Sequence, residues 1–234
     1  VYITISPIPS RMSNTFKIIK HMLNHVSGIE KVILNIPYQY KRFPNYKVEL
    51  EKYSFNDPRL FINRTPDYGP LTKFLPSLSL IPDNSITIIA DDMCYKLSAF
   101  KDIAEKQDMN RNRSYSYYVY RYNNVLVPQG ADLISMYTKN AGHFTEWFQE
   151  FYKDLNIENY FDSPCFFVDD QVIGWYFQHQ GIQMEQVDRG HRMIYIKNCE
   201  KAPLSHNLNK QTGNNSRDNT MKECYNQLNK FYSL

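Results

Sequence analysis

The run Ile86-Thr87-Ile88-Ile89-Ala90 is β-branched and apolar throughout, and it ends abruptly in Asp91-Asp92. A strand apolar on both faces belongs in the middle of a sheet covered on both sides, which is the habit of parallel sheets with crossover helices. The rest of the first third agrees. Tyr2–Ser6 reads as a strand, and Ile18, Ile19, Met22, Leu23 and Val26 recur at helical spacing before Gly28 stops them. Lys31–Ile36 is a second strand, so one βαβ unit is complete within 36 residues. Leu60–Asn63 is another short strand, and Asp67-Tyr68-Gly69-Pro70 is a turn that feeds a helix beginning at Pro70.

The second part is read less sharply. Arg111 to Tyr122 is aromatic and basic, with a Ser/Tyr alternation that suits either a half-buried strand or a surface for stacking bases and sugar rings. Phe144, Trp147, Phe148, Phe151 and Leu155 share a helical face. Asp169-Asp170 opens a helix stopped by Gly181, and Ile182–Val187 follows as a strand. Residues 204–218 are polar and Asn-rich, a loop by composition, before an amphipathic C-terminal helix through Met221, Cys224, Tyr225, Leu228 and Phe231.

With 234 residues, 42% of them hydrophobic and 22% charged, the chain has enough apolar mass for a sizeable core and is not disordered. The fold class is therefore α/β, with a central, mostly parallel sheet flanked by helices. Lys and Arg number 27 against 24 Asp and Glu, an excess too thin to imply a nucleic-acid or membrane-surface partner. No apolar stretch approaches the ~18 residues of a membrane helix. Val1–Ile5 also lacks the basic start and cleavage site of a secretory signal. Cys94, Cys165, Cys199 and Cys224 lie far apart, with no CxxC pair, so the expectation is four free thiols in a reducing, cytoplasmic setting.

Ligands of open α/β sheets bind outside the carboxyl ends of the strands, which puts weight on the acidic pair Asp91-Asp92. Two carboxylates there suit a divalent ion such as Mg²⁺ or Mn²⁺, or simply a turn in which one of them caps a helix. Asp67-Tyr68-Gly69-Pro70-Leu71-Thr72-Lys73 suits a diphosphate held by backbone donors and Lys73, or a plain Gly-Pro turn. Ser10 and Arg11, after the first strand, suit a phosphate or a base, or an ordinary turn. A carboxylate at Asp169 or Asp170 suits a general base, a sugar ligand or a helix cap. His206 suits a metal ligand or an exposed loop histidine.

In their order along the chain, Ile3–Arg11 with Ile8-Pro9-Ser10-Arg11, the strand ending Leu34-Asn35-Ile36-Pro37-Tyr38, Asp67–Lys73, Ile86–Tyr95 and Phe167–Ile182 resemble the GT-A-fold nucleotide-sugar glycosyltransferases of large DNA viruses and some bacteria and algae. The resemblance implies a single GT-A-like, Rossmann-like domain over 1–234, with a nucleotide-binding half (1–95) and an acceptor-binding half (96–234). It implies transfer of a sugar from a UDP-sugar to a hydroxyl of a glycan or glycoprotein, with Mn²⁺ or Mg²⁺. By the same likeness Ser6, Ile8 and Arg11 border the nucleotide and Tyr38 stacks near the base. Asp67, Tyr68 and Lys73 face the diphosphate and donor sugar, and Asp92, with Asp91 and His206, holds the metal. Asp169 or Asp170 deprotonates the acceptor if the configuration inverts. The family motif often carries three successive aspartates, and Ala90 stands where the first would be. The rival readings are a sugar-nucleotide pyrophosphorylase, against which the absence of a Gly-rich first loop counts, and a non-catalytic nucleotide- or carbohydrate-binding module.

Overall fold

The computed structural model describes residues 1–53, 55–154, 160–188 and 217–232. Nine strands occur among them: β1 (Tyr2–Ile5), β2 (Lys31–Pro37), β3 (Leu60–Thr65), β4 (Ile86–Ala90), β5 (Arg113–Ser116), β6 (Val119–Tyr122), β7 (Val125–Pro128), β8 (Ile134–Tyr137) and β9 (Gln183–Gln186). The described α-helices are α1 (Met12–His25), α2 (Leu97–Asp108), α3 (Phe144–Asp154), α4 (Asp169–His179) and α5 (Arg217–Tyr232). One seven-stranded sheet runs in the order β3-β2-β1-β4-β8-β5-β9, and β6 and β7 form a separate hairpin. From β3 to β4 every pairing is parallel. Strand β8 is antiparallel to both β4 and β5, and β9 returns parallel to β5. The protein is thus α/β, with a central, mostly parallel sheet flanked by helices. Because β4 pairs with β8, the sheet is continuous across residue 95.

The strand alternation sorts the core into two faces. Ile3 and Ile5, Val32, Leu34 and Ile36, and Ile88 and Ala90 pack against α1 and α2 through Ile19, Met22, Phe100 and Ile103. On the opposite face Ile89, Ile134 and Met136 meet Phe74, Phe144, Phe166 and the aromatic side of α4. The same face of β1 and β2 carries buried polar groups instead, Thr4 and Asn35. Asn35 donates to the Lys73 carbonyl (3.3 Å) and to Ser77 Oγ (2.6 Å), and Asn63 donates to Asn35 Oδ1 (2.8 Å) and the Pro76 carbonyl (3.4 Å).

Two sequence expectations need correction here, the helix from Pro70 and the free thiols, while the strand reading of Arg111–Tyr122 holds. The helix from Pro70 is two short 3₁₀ segments, Gly69–Lys73 and Leu75–Leu80. Pro76 lacks the N–H that an α-helix begun at Pro70 would need, and Asn35 and Asn63 supply the segment with side-chain bonds in its place. The tract from Arg111 to Tyr122 divides into β5 and β6, with Tyr115 and Tyr117 in the core and Arg113 paired with Glu185. The cysteines are not free thiols: Cys165 and Cys224 are disulfide-bonded, with Cα atoms 4.7 Å apart, Cys94 is also disulfide-bonded, and no free cysteine occurs among the described residues. Sequence spacing shows only neighbours along the chain; here α5 lies against the Pro164–Phe167 turn and delivers Cys224 to a partner 59 residues away. The argument for a reducing compartment falls with the free thiols. No helix among the described residues is long and apolar enough to cross a membrane.

Candidate active site

At the carboxyl end of β4 the chain leaves the sheet at Asp91, and the 3₁₀ turn after β3 brings Lys73 to meet it. Gly69 makes this turn possible: it sits at φ +62, and a Cβ there would lie 2.5 Å from the Phe166 carbonyl oxygen. Asp67 fixes the entry, accepting from the Gly69 N–H (2.8 Å) and from the Lys41 N–H (2.7 Å), while the Tyr68 N–H donates to Thr72 Oγ1 (2.8 Å). Lys73 follows, its side chain only 5% exposed, with Nζ 2.5 Å from Asp91 Oδ1 and 2.8 Å from Asp169 Oδ2. Burial by itself lowers the pKa of this ammonium, but the carboxylates of Asp169, Asp91 and Asp170 outweigh it and hold the pKa well above its ordinary value. Lys73 is a fixed cation.

Asp169 and Asp170 open α4, and the helix is seated by Gly174. A Cβ on Gly174 would meet the Leu126 carbonyl oxygen at 2.5 Å, so glycine is what lets α4 close on β7. Asp170 is buried, and its Oδ1 accepts from the Gly130 N–H at 2.8 Å. Burial, reinforced by the charge of Asp169, pushes its pKa up to about 8, against the pull of Lys73. Gly130, in the loop between β7 and β8, has no room for a side chain: a Cβ would stand 2.5 Å from Lys73 Nζ and 2.6 Å from Asp170 Oδ1.

A second ion pair lies alongside. Arg11 Nη1 is 2.6 Å from Asp92 Oδ1, and the Ile8 N–H donates to Asp92 Oδ2 at 3.0 Å. Burial raises the Asp92 pKa, while Arg11 and the Ile8 amide work against it. Two cations therefore stand at the ends of β1 and β4, each held by one of the adjacent aspartates, and both sit where a parallel sheet presents its ligand crevice.

The fold gathers Lys73, Asp91, Asp169 and Asp170 into one cluster and Ile8, Arg11 and Asp92 into its neighbour. Ser6 lies at the end of β1, partly exposed. Asp67 is tied into the turn by the Gly69 and Lys41 amides, and Tyr68, just before the turn, lies edge-on to Phe148. Tyr38 is 65% exposed at the end of β2, with the Arg64 guanidinium 5.5 Å from its ring centroid. His206 lies outside the described residues. Neither Gly130 nor Arg64 carries a signal in the sequence.

The Mn²⁺ or Mg²⁺ that the resemblance implies does not fit the described residues as they are disposed. Both Asp92 oxygens are engaged and Asp91 holds Lys73, and among the described residues no three of His, Cys, Asp and Glu gather in a way that would hold a metal ion. The cations nearest that crevice are Lys73 and Arg11, each already paired with aspartate.

No protein-family model matches this sequence, and no curated protein matches it. Among solved structures, the chain is similar to the 4-diphosphocytidyl-2C-methyl-D-erythritol synthase of Anaerococcus prevotii DSM 20548, with a TM-score of 0.45 and 14% identity over 84% of this chain and 90% of that one. A second 4-diphosphocytidyl-2C-methyl-D-erythritol synthase matches with a TM-score of 0.48 and 6% identity over 86% of this chain and 92% of that one. At these values neither likeness assigns an activity to this chain.

Proposed function

We propose that this chain is a transferase that binds a nucleoside diphosphate sugar, with a UDP-sugar as donor, and passes the sugar to a hydroxyl of a glycan or glycoprotein. The observation that carries the reading is Lys73, a buried ammonium at the carboxyl end of the parallel sheet, clasped between a strand-end carboxylate and the acidic pair that opens α4. A lone structural salt bridge gains little from such burial. A site that must meet a developing diphosphate charge and also hold a base gains from it, because the charges are fixed before the reaction begins.

In this scheme the acceptor hydroxyl gives its proton to Asp170 as its oxygen bonds to the anomeric carbon. The bond from that carbon to the diphosphate oxygen breaks, and its electron pair leaves with the nucleoside diphosphate. Lys73 and Arg11 answer that charge. Asp169 orients Lys73, and the carboxylates nearby favour the positive character of the sugar ring in the transition state. Asp170, its pKa pushed up to about 8, takes the proton only in its ionised form, so turnover in this scheme rises with pH toward 8.

The test is a panel of UDP-sugars with simple glycosides as acceptors, followed by UDP release in the native protein and in Asp170→Asn. The expected result is release that depends on the acceptor and falls about 10²–10⁴-fold in the variant. Formation of pyrophosphate from a nucleoside triphosphate and a sugar phosphate would show nucleotidyl transfer instead, the pyrophosphorylase reading. Nucleotide binding without any turnover would leave a binding module.

A further inference from the structure

On the solvent side of α1, His21 and His25 stand one helical turn apart, both exposed. Side chains four residues apart on a helix lie one above the other. The two imidazoles accordingly approach to 4.4 Å between ring centroids, tilted by 44°. The transferase reading uses neither ring. Helix α1 starts just after Arg11 and runs for 14 residues, which places its last turn on the order of 20 Å from the ligand crevice. We propose that His21 and His25 chelate one divalent transition-metal ion of the Ni²⁺, Cu²⁺ and Zn²⁺ group; the inference is independent of what the crevice binds.

Three features favour an ion over a mere stacked pair. First, His25 Nδ1 lies 2.8 Å from the His21 carbonyl oxygen. A carbonyl only accepts, so this nitrogen donates and carries the proton, and the lone pair of His25 Nε2 is left for a ligand. A ligating imidazole is usually oriented in this way, by a bond from its other nitrogen. Second, the spacing is fixed before any ion arrives. Phe16, Ile19, Met22 and Leu23 bury the opposite side of the helix, each at most 5% exposed, and the Val26 N–H closes the last turn on the Met22 carbonyl at 2.9 Å. Third, both rings stand where α1 ends, at the negative end of the helix dipole, which favours a bound cation. Two nitrogens each about 2.0–2.1 Å from one ion are no more than about 4 Å apart, a span within reach of rings this close.

The neighbours on the helix decide which ions the pair selects. Of the positions three and four residues from either histidine, Lys17 alone is charged, and it is exposed, where water and salt screen its ammonium. None of those positions carries a carboxylate. Oxygen-seeking Mg²⁺ therefore finds no ligand there, whereas neutral imidazole suits Ni²⁺, Cu²⁺ and Zn²⁺. Two protein ligands leave the other coordination positions to water, so this is an open chelate and not a closed structural site.

The experiment titrates the whole chain, free of any affinity tag, with NiCl₂, ZnCl₂ and MgCl₂ by calorimetry. His21→Ala and His25→Ala are compared with the native protein, together with the double variant Lys17→His with His25→Ala, which moves the pair back one turn to positions 17 and 21. All three positions are exposed, so the fold tolerates the changes. The expected result is one strong site for Ni²⁺ or Zn²⁺ and none for Mg²⁺. Affinity should be at least about tenfold weaker in either single variant, because the second ligand no longer binds intramolecularly, and should return to within about threefold of native in the double variant. Zn²⁺ should also raise the Tm of the native chain and leave that of His21→Ala where it is. The proposal is overturned if the native chain takes up neither Ni²⁺ nor Zn²⁺, or if either single variant binds as well as the native chain, which would place the ion elsewhere. It is equally overturned if the double variant stays as weak as His25→Ala, which would mean that the spacing of the pair does not matter.

Discussion

The two faces of the sheet differ in what they bury. Against α1 and α2 the strands present Ile3, Ile5, Val32, Leu34, Ile36 and Ile88, all at most 1% exposed, and close on an ordinary hydrocarbon core. On the other face β1 and β2 present Thr4 and Asn35, and above them the Gly69–Leu80 segment brings a buried lysine among three aspartates. One face derives its stability from apolar area removed from water. The other gives some of that up to hold charges in place, which is where the proposed site lies.

The difference is sharpest at Lys73. Lys73→Met leaves the buried Asp169 and Asp170 and the partly exposed Asp91 without their cation, so a loss of roughly 3–5 kcal/mol in unfolding free energy is expected from denaturant midpoints. Where enough native protein remains, UDP binding should be undetectable by calorimetry. Ile19→Ala, on the apolar face, should cost a comparable 2–5 kcal/mol or so through the cavity it leaves, yet keep the native UDP affinity at temperatures below its melting transition. If both variants lose affinity in step with stability, the contrast between the faces is only one of packing.

Next in size is the disulfide that ties α5 to the turn before α4. With Cys165 and Cys224 separated by 59 positions, constraint of the unfolded chain accounts for about 4 kcal/mol at most. Cys165→Ser with Cys224→Ser should lower Tm by many degrees, while UDP affinity measured in the cold should hold, because the bond secures the Pro164–Phe167 turn from outside the cluster.

Gly130→Ala puts a Cβ within 2.6 Å of both Lys73 Nζ and Asp170 Oδ1. Overpacking of this kind costs roughly 1–3 kcal/mol. Turnover should fall more than stability does, and Gly174→Ala, which forces α4 off β7 without touching Lys73, should reverse that order.

A further test is a pH dependence. Asp170 has a folded pKa near 8, raised above its unfolded value, so the folded state holds a proton that the unfolded chain has lost. Its contribution to stability is fully present below about pH 4 and declines as pH rises to about 8. Asp170→Asn removes this decline, so the Tm advantage of the variant should widen between those limits and stay level above pH 8. A parallel pair of Tm curves would mean that Asp170 is ionised throughout.

Much of this layout was legible along the chain, because β2, β4, α1 and α4 announce themselves through periodicity and local stop signals. The run Ile86–Ala90 matches β4 residue for residue, and Gly28 and Gly181, at φ +78 and +68, close their helices as read. What stayed hidden depends on approach in three dimensions. Pro76 stands where a helix begun at Pro70 would need an N–H, and the Asn35 and Asn63 donors that bond the resulting 3₁₀ turns come from other strands. Lys73 reads as a diphosphate ligand or a plain turn lysine, and nothing along the chain pairs it with Asp169, 96 positions on. Cys165 and Cys224 carry no pairing signal, and Gly130 looks like any loop glycine until the space its missing Cβ leaves is seen to be filled by Lys73 and Asp170.

The central claim is that Lys73, held between Asp91 and Asp169, is the binding charge for a nucleoside diphosphate. The most direct measurement is calorimetric titration of UDP into the native chain and into Lys73→Met, each in the presence of chelator and again with Mn²⁺. Binding that survives chelation in the native chain and vanishes in the variant is the expected result; binding that is unaffected by the loss of Lys73, or that needs Mn²⁺ and ignores the lysine, would contradict it.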